Sequence, residues 1–281
     1  MAKSRALDKR RKSVRNIRKI TRTMELVATA QFKKAMELAV AADAYTKRLV
    51  DLVNDLTTSG QELNHPLLVE RKQPKEQKDV VLLVLSANRG MCGGFNSGVM
   101  RLAAQRLIEL QKDYHGVYLE VSGKRGIAAF RFKKQTLTNE YIHLQDKPQL
   151  EQVEELSDRY LEDFLADKID RLDVCYTKFG SISRQYAVIE TILPVTDLTA
   201  AGDVNAVQDE ADADLKKAAL MRRADTAVAA GTDKGAAGLH LRSKNVQFDL
   251  LPSADDILQE LIPKAFKSKL FKCFLDSAVG E

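Results

Sequence analysis

The glycine-rich segment Ser86–Asn96 is the first place in the chain where chemistry could occur. It reads SANRGMCGGFN and lies between an apolar run and a helical pattern, a position where phosphates often bind. It lacks the G-x-x-x-x-G-K-[ST] pattern and contains no Lys. The glycines Gly90, Gly93 and Gly94 therefore favour a tight turn with close backbone packing over a nucleotide site. Cys92 is interpreted as structural, because no His lies nearby in the sequence to activate it.

Other residue types that catalyse reactions or bind metals are scattered. No Ser, His and Asp fall into an arrangement typical of a hydrolase, and the carboxylates fit helix faces. The odd number of cysteines argues against a disulfide framework and favours a reducing compartment. The sequence therefore predicts a non-catalytic chain without cofactor or metal. The four His and three Cys, none at ligand spacing, are His65, His115, His143, His240, Cys92, Cys175 and Cys273.

Positive charge is concentrated near the start of the chain. Residues 1–48 contain 14 Lys/Arg and 4 Asp/Glu, whereas the whole chain has a net charge of only +5. A basic segment implies an acidic partner, which could be nucleic acid, a lipid surface or an acidic protein loop. No aromatic residue interleaves with the charges of residues 5–22, so stacking on bases is not provided for. No run of about 18 apolar residues occurs, so membrane association is expected only through partners.

The elements that position these charges begin with a long helix. Residues 4–58 contain no Pro and no Gly, and apolar side chains recur at alternating steps of three and four. Such a ladder predicts a coiled-coil seam rather than a globular helix. Eleven of its 13 positions are apolar: Val14, Ile17, Thr21, Met24, Ala28, Gln31, Ala35, Leu38, Ala42, Tyr45, Leu49, Leu52 and Leu56.

The middle of the chain has a different period. The continuous apolar run 79–85 predicts a strand buried on both faces. Further strands are predicted at 117–121, 172–178 and 186–193, and helices at 95–112 and 149–168, with a loop and short helix at 122–132. This alternation predicts a small α/β domain with a largely parallel sheet.

The last third contains a segment of another composition. Residues 196–243 are rich in Ala, Asp and Gly, which predicts an insert, with an exposed helix near 207–230. A final helix is predicted from 254 to 279, capped by Ser253 and interrupted or kinked near Pro263. The expected divisions are a shaft helix at 1–60, a linker at 61–78, an α/β domain at 79–195, an insert at 196–247 and a second shaft helix at 248–281.

Two motifs are similar to those of a known family. The segment Arg15–Ala28, RNIRKITRTMELVA, closely resembles the first helix of gamma subunits of F-type rotary ATP synthases. The loop Ser86–Asn96 looks like that family's S-D-R-G-L-C-G-G-F-N loop, and the two occur in the family's order. Weaker similarities occur at 122–126, 176–179, 193–194 and 248–258. The resemblance covers nearly the whole chain except the insert.

The resemblance implies a fold and a role. It implies antiparallel N- and C-terminal helices, a long α-helical coiled coil, flanking a Rossmann-like α/β domain. In the family this shaft rotates inside a ring of alpha and beta subunits, while the foot meets the epsilon subunit and the c-subunit ring. The complex lies on the membrane, here expected on the cytoplasmic face of the bacterial plasma membrane. Ring contact is expected from Arg10, Arg15, Arg18, Lys19, Arg22, Met24 and Glu25, and a structural role from Arg89, Gly90, Cys92, Gly93 and Gly94.

Two departures from the family pattern are apparent in the sequence. The family continues by about 50 residues beyond the position of Glu281, so the second shaft helix is expected to be truncated. The insert occupies the place where photosynthetic members have paired cysteines, yet it contains none, so a thiol switch is not expected. The alternatives are a non-catalytic coiled-coil adaptor, a divergent gamma-like paralogue, a nucleotide-binding enzyme that uses the glycine-rich loop, and a DNA-binding basic coiled coil.

Overall fold

The computed structural model describes residues 2–58, 65–68, 78–144, 148–181, 183–195 and 254–281. The expected insert, its helix near 207–230, the cap at Ser253 and most of the expected linker lie outside these residues. The elements in chain order are α1 (Ala2–Thr58), β1 (Asp79–Leu85), α2 (Phe95–Asp113), β2 (Gly116–Ser122), α3 (Lys124–Phe132), β3 (Asn139–Tyr141), α4 (Leu150–Leu165), β4 (Arg171–Ser181), β5 (Arg184–Leu193) and α5 (Ala254–Gly280).

Helix α1 is a single uninterrupted helix of 57 residues, as the lack of Pro and Gly predicted. At 1.5 Å per residue it is about 85 Å long, several times the diameter of a small domain core. Within the described ranges, none of the helices carries a stretch apolar enough to span a lipid bilayer.

The five strands form one mixed sheet in the order β3-β2-β1-β4-β5. Strands β3, β2, β1 and β4 are parallel, and β5 pairs antiparallel with β4. The largely parallel sheet predicted from the sequence is therefore confirmed. Strand β3 was not predicted, because its three residues, Asn-Glu-Tyr, carry no apolar pattern.

Central strand β1 separates two hydrophobic cores, because successive side chains of a strand point to opposite faces. Val80, Leu82 and Val84 pack with α2 and α3 on one face. Val81, Leu83 and Leu85 pack with α4 and α5 on the other. The buried strand predicted at 79–85 therefore has both faces covered.

Helix α5 packs against α4, β4 and α1 and shares their core. It continues through Pro263, so of the interruption or kink predicted there, the interruption is wrong. A proline removes one backbone hydrogen bond from a helix. The neighbouring side chains of Ile262 and Phe266 are completely buried, and their packing keeps the helix in place across that missing bond.

Helices α1 and α5 contact each other with opposite chain directions. The Thr46 and Ser268 hydroxyls are 2.8 Å apart, and Lys272 donates a hydrogen bond to Asp43. Farther along, Ala39 packs with Leu275. Residue numbers thus rise in α5 as they fall in α1.

The buried face of α1 differs from the predicted ladder at alternate positions. Leu38 and Tyr45 were expected on the seam but are about half exposed, whereas Ala39 is 3% exposed. The predicted positions Ala35, Ala42 and Leu49 do lie on the contact face. The small Ala39 side chain allows close approach of α5, which explains why the seam passes through it rather than through the larger Leu38.

We expect Phe266→Ala to lower the free energy of unfolding by about 3–5 kcal/mol, because it opens a cavity at a completely buried side chain. Phe132→Ala is the matched control: that ring is 89% exposed, and its loss should change stability by less than about 0.5 kcal/mol. Urea unfolding measures both variants. Equal losses would contradict the placement of α5 in the core.

Candidate partner-binding surface

The first half of α1, residues 5–31, is a solvent-exposed helix with a positively charged surface. All residues from 5 to 31 are exposed, and the apolar side chains among them are exposed as well, including Met24 at 46%. The Arg22 guanidinium donates to the Glu25 carboxylate at 2.7 Å, an exposed pair three residues apart. The predicted contact residues that share this surface are Arg10, Arg15, Arg18, Lys19, Arg22, Met24 and Glu25.

This surface is suited to binding rather than to proton transfer or nucleophilic attack. A row of guanidinium and ammonium groups beside exposed apolar side chains matches an anionic, partly apolar partner surface.

The glycine-rich loop between β1 and α2 lies beside α1. The Arg89 guanidinium donates to the Gln31 side-chain oxygen at 3.4 Å. Asn88 holds the loop in place from two sides: its amide nitrogen donates to the carbonyl of Ile142 at 2.9 Å, and its oxygen accepts from the amide of Lys124 at 3.0 Å. Sequence reasoning did not single out Asn88, because an asparagine in a loop carries no distinctive pattern.

The loop's glycines differ in what they do. Gly93 has a φ of +54°, a left-handed conformation that favours glycine. A side chain at Gly90 would meet the Arg125 guanidinium, whereas Gly94 has open space around it. The backbone at Gly93 thus favours glycine, whereas the flexible end of Arg125 could move away from a side chain at Gly90. The structural role of the loop stays a prediction.

The amino-terminal amides of α3 are already used within the protein. Those of Lys124, Arg125 and Gly126 donate to Asn88, to the Ala87 carbonyl and to the Ser86 hydroxyl. A helix amino terminus binds phosphate through such amides when they are free. This end of the sheet is therefore closed by contacts between its own loops.

Cys92 is not arranged as a nucleophile. Its pKa is raised, chiefly by partial burial and then by the Glu281 carboxylate, despite the nearby Arg125. A raised pKa lowers the thiolate fraction at neutral pH, and the thiolate is the reactive form. In the described part of the chain, no three His, Cys, Asp or Glu side chains are grouped to hold a metal ion.

A buried carboxylate that the sequence did not reveal lies in β2. Glu120 is 4% exposed and accepts hydrogen bonds from Tyr160 at 2.6 Å, Tyr141 at 2.8 Å and Arg159 at 2.6 Å. The pKa of Tyr141 is raised by burial and by this carboxylate. The Asn139 amide nitrogen also donates to this carboxylate, at 2.9 Å. With its oxygens engaged by four donors, Glu120 stabilises the α4 face of the sheet.

Comparison with known proteins identifies the family. The model of the ATP synthase family matches residues 3–281. The ATP synthase gamma chain of Rhodopirellula baltica is 43% identical over the whole chain, which spans 83% of that relative. The chain belongs to the ATP synthase gamma chain family. The gamma chain of Gemmatimonas aurantiaca is 29% identical, again over the whole chain and over 82% of the relative.

A solved structure has a similar fold. The central stalk and c-ring structure of the Tetrahymena thermophila mitochondrial ATP synthase contains a chain that superposes with a TM-score of 0.52. The two chains are 12% identical, and 93% of each is covered. The family match and the curated relatives confirm the similarity to gamma chains inferred from the two sequence motifs.

Gly123 gives a test of the closed loop cluster. Its φ is +98°, and a Cβ there would lie 1.8 Å from the Ser86 carbonyl oxygen. We expect Gly123→Ala to destabilise the protein by about 2 kcal/mol or more. Gly94→Ala is the control, since nothing lies within 4 Å of a Cβ at that position, and its effect should stay within about 0.5 kcal/mol. Thermal unfolding measures both; a tolerated Gly123→Ala would refute the close packing of the two loops.

Proposed function

We propose that the chain works as the central-stalk rotor of an F-type proton-translocating ATP synthase. It couples proton flow through the membrane sector to conformational change at the catalytic beta subunits during ATP synthesis. The observation that carries the proposal is the exposed cationic half of α1, which extends away from the sheet in a chain of the gamma family. A rigid helix pair that rotates relative to several sites can transmit conformational change, because each site responds to the orientation of the helix pair.

The shaft consists of α1 and α5 as an antiparallel coiled coil. The opposed contacts Thr46–Ser268 and Asp43–Lys272 support this arrangement. The pKa of Asp43 is lowered: burial acts against its charge, but hydrogen bonds from Lys272 and Lys47 outweigh that effect. A partly buried carboxylate held by two lysines fixes the register of the two helices.

The partners follow from the division of the chain. Residues 1–60 and 248–281 form the shaft, joined by the linker 61–78 to the α/β domain 79–195, with the insert at 196–247. The cationic half of α1 meets acidic loops of the alpha and beta ring, while the α/β domain meets the epsilon subunit and the c-subunit ring. The complex is placed at the cytoplasmic face of the bacterial plasma membrane, where the chain is held through these partners. The ring contact is made by Arg10, Arg15, Arg18, Lys19, Arg22, Met24 and Glu25.

The chain contributes motion rather than chemistry. The glycine-rich loop has no Lys to hold a phosphate, and the amides at the start of α3 donate to protein acceptors. Phosphoryl transfer needs a phosphate-binding cation and carboxylates that hold Mg²⁺. ATP is therefore bound and released by the ring subunits.

Met24→Lys tests the contact between α1 and the ring. The substitution adds a cation at a partly exposed seam position that slides past acidic loops. In an enzyme reconstituted with the chain, we expect ATP hydrolysis to persist while proton transport per ATP falls roughly fivefold, as for a new ion pair of about 1 kcal/mol. Vesicle acidification and phosphate release, recorded together, give the ratio.

Val40→Lys is the matched control. It adds the same charge at a side chain that is 61% exposed, near the level where α1 packs on α5 and outside the proposed ring contact. It should leave the coupling ratio unchanged. Normal coupling in Met24→Lys, or the same loss in both variants, would argue against placing Met24 at the ring.

The purified chain alone should hydrolyse no ATP. The reason is that the glycine-rich loop Ser86–Asn96 contains neither a Lys to bind phosphate nor an Asp or Glu to hold Mg²⁺. Phosphate release from a preparation free of alpha and beta subunits measures this. Steady turnover that persists through repeated purification would overturn the proposed division of labour.

A further inference from the structure

A buried carboxyl group lies where α5 meets both the sheet and α1. Asp276 is 2% exposed, and its Oδ2 atom has no hydrogen-bond partner among the described residues. Neighbouring Leu275 and Ser277 are buried as well. A charged carboxylate with one oxygen unpartnered is costly in such surroundings, because a charge loses its hydration on burial.

The nearby cations are engaged with other carboxylates. Lys272 donates to Asp43 on α1, and Lys178 on β4 donates to Glu190 on β5 at 2.6 Å. The pKa of Glu190 is lowered, because its lysine contacts outweigh burial. Asp43 and Glu190 therefore keep their charges, and Asp276 is the third carboxyl group of the cluster.

The groups that surround Asp276 come from every element that packs on this part of α5. On the α4 side, Lys267 is already paired with Asp158 at 2.6 Å. The charged and titratable groups that interact with Asp276 are Asp43 from α1, Tyr176 and Lys178 from β4, Glu190 from β5, and Lys272 and Cys273 from α5 itself. Lys47 lies beside Asp43, and Lys269 lies beside Glu190 and Cys273.

We propose that Asp276 is a proton-linked contact: α5 packs firmly on α1 and the sheet when this carboxyl is protonated and more loosely when it is charged. The proposal is independent of ring partners, since all the groups involved belong to this chain. It adds a sensitivity to pH at the point where the two long helices join the α/β domain.

The direction of the effect follows from proton linkage. Burial raises the pKa of Asp276 from 3.8 to about 7. The nearby charges of Lys272 and Lys178 act in the opposite direction and offset only part of this rise. The packed state then binds the proton more tightly than the open state. The stabilising contribution is fully present below about pH 4 and is lost as the pH rises to about 7, with roughly a tenfold increase in opening per pH unit.

Hydrogen exchange on the full chain tests the proposal. Between about pH 5 and pH 7, after correction for intrinsic exchange, opening of the carboxyl-terminal half of α5 should increase by up to about a hundredfold. Asp276→Asn, which keeps the shape and removes the titration, should abolish this increase. Glu260→Gln is the control, because that side chain is 76% exposed on the same helix, and it should behave like the unaltered chain.

The comparison between variants also removes the effect of His65, a second group whose protonation makes stability depend on pH. Burial lowers the pKa of His65, so its contribution to stability grows as the pH rises through the same range. Because His65 is present in all three chains, its effect cancels from the difference between them.

Titration of the Asp276 carboxyl carbon by NMR decides the matter independently if Asp276→Asn fails to fold. A midpoint near 7 supports the proposal, and a midpoint near 4 overturns it. An Asp276→Asn chain that opens with the same pH dependence as the unaltered chain would overturn it as well.

Discussion

The packing of α5 into two environments at once is the constraint on which the rest of the structure depends. One side of this helix completes the core of the sheet through Phe266 and Leu270, and another side carries Leu275 against α1. Because protein interiors are close-packed, a shift of α5 toward either neighbour would open a gap against the other. The orientation of α1 relative to the sheet is therefore set by a third element, α5, which packs against both.

Much of the fold could be predicted because its strongest signals are local. An uninterrupted run without Pro or Gly gives a single helix over 2–58, and the continuous apolar run 79–85 gives a strand covered on both faces. The seam of α1 was predictable only in part. A heptad pattern taken from one helix assumes that its partner packs at the same distance along the whole length. Here α5 approaches so closely that the small Ala39, rather than Leu38, lies in the contact. Strand β3 exists because β2 offers it an edge, a tertiary reason that no local pattern records.

Some features of the candidate surface could also be predicted from the sequence, and others could not. The exposure of the basic residues along α1 could be predicted from their number, because Lys and Arg side chains are rarely buried without a partner of opposite charge. The roles of Asn88 and Asp276 could not be predicted, because each depends on neighbours far away in the chain. Asn88 reaches Ile142, 54 residues away, and Asp276 faces Asp43 from the far end of the sequence. Polar residues that act through tertiary contacts have no spacing to recognise.

The buried contacts of α1 with α5 and the sheet lie between residues 32 and 49, and the hydrogen bond from Arg89 adds residue 31 to this region, here called the clamp. The stretch from residue 5 to residue 30 projects about 40 Å beyond the clamp. A tilt of about one degree at the clamp displaces the free tip by roughly 0.7 Å over that length. The close packing of Ala39 with Leu275 and Val279 resists such tilts, because a tilt would open gaps between the two helices. The direction in which the tip points is thus set by a contact far from it.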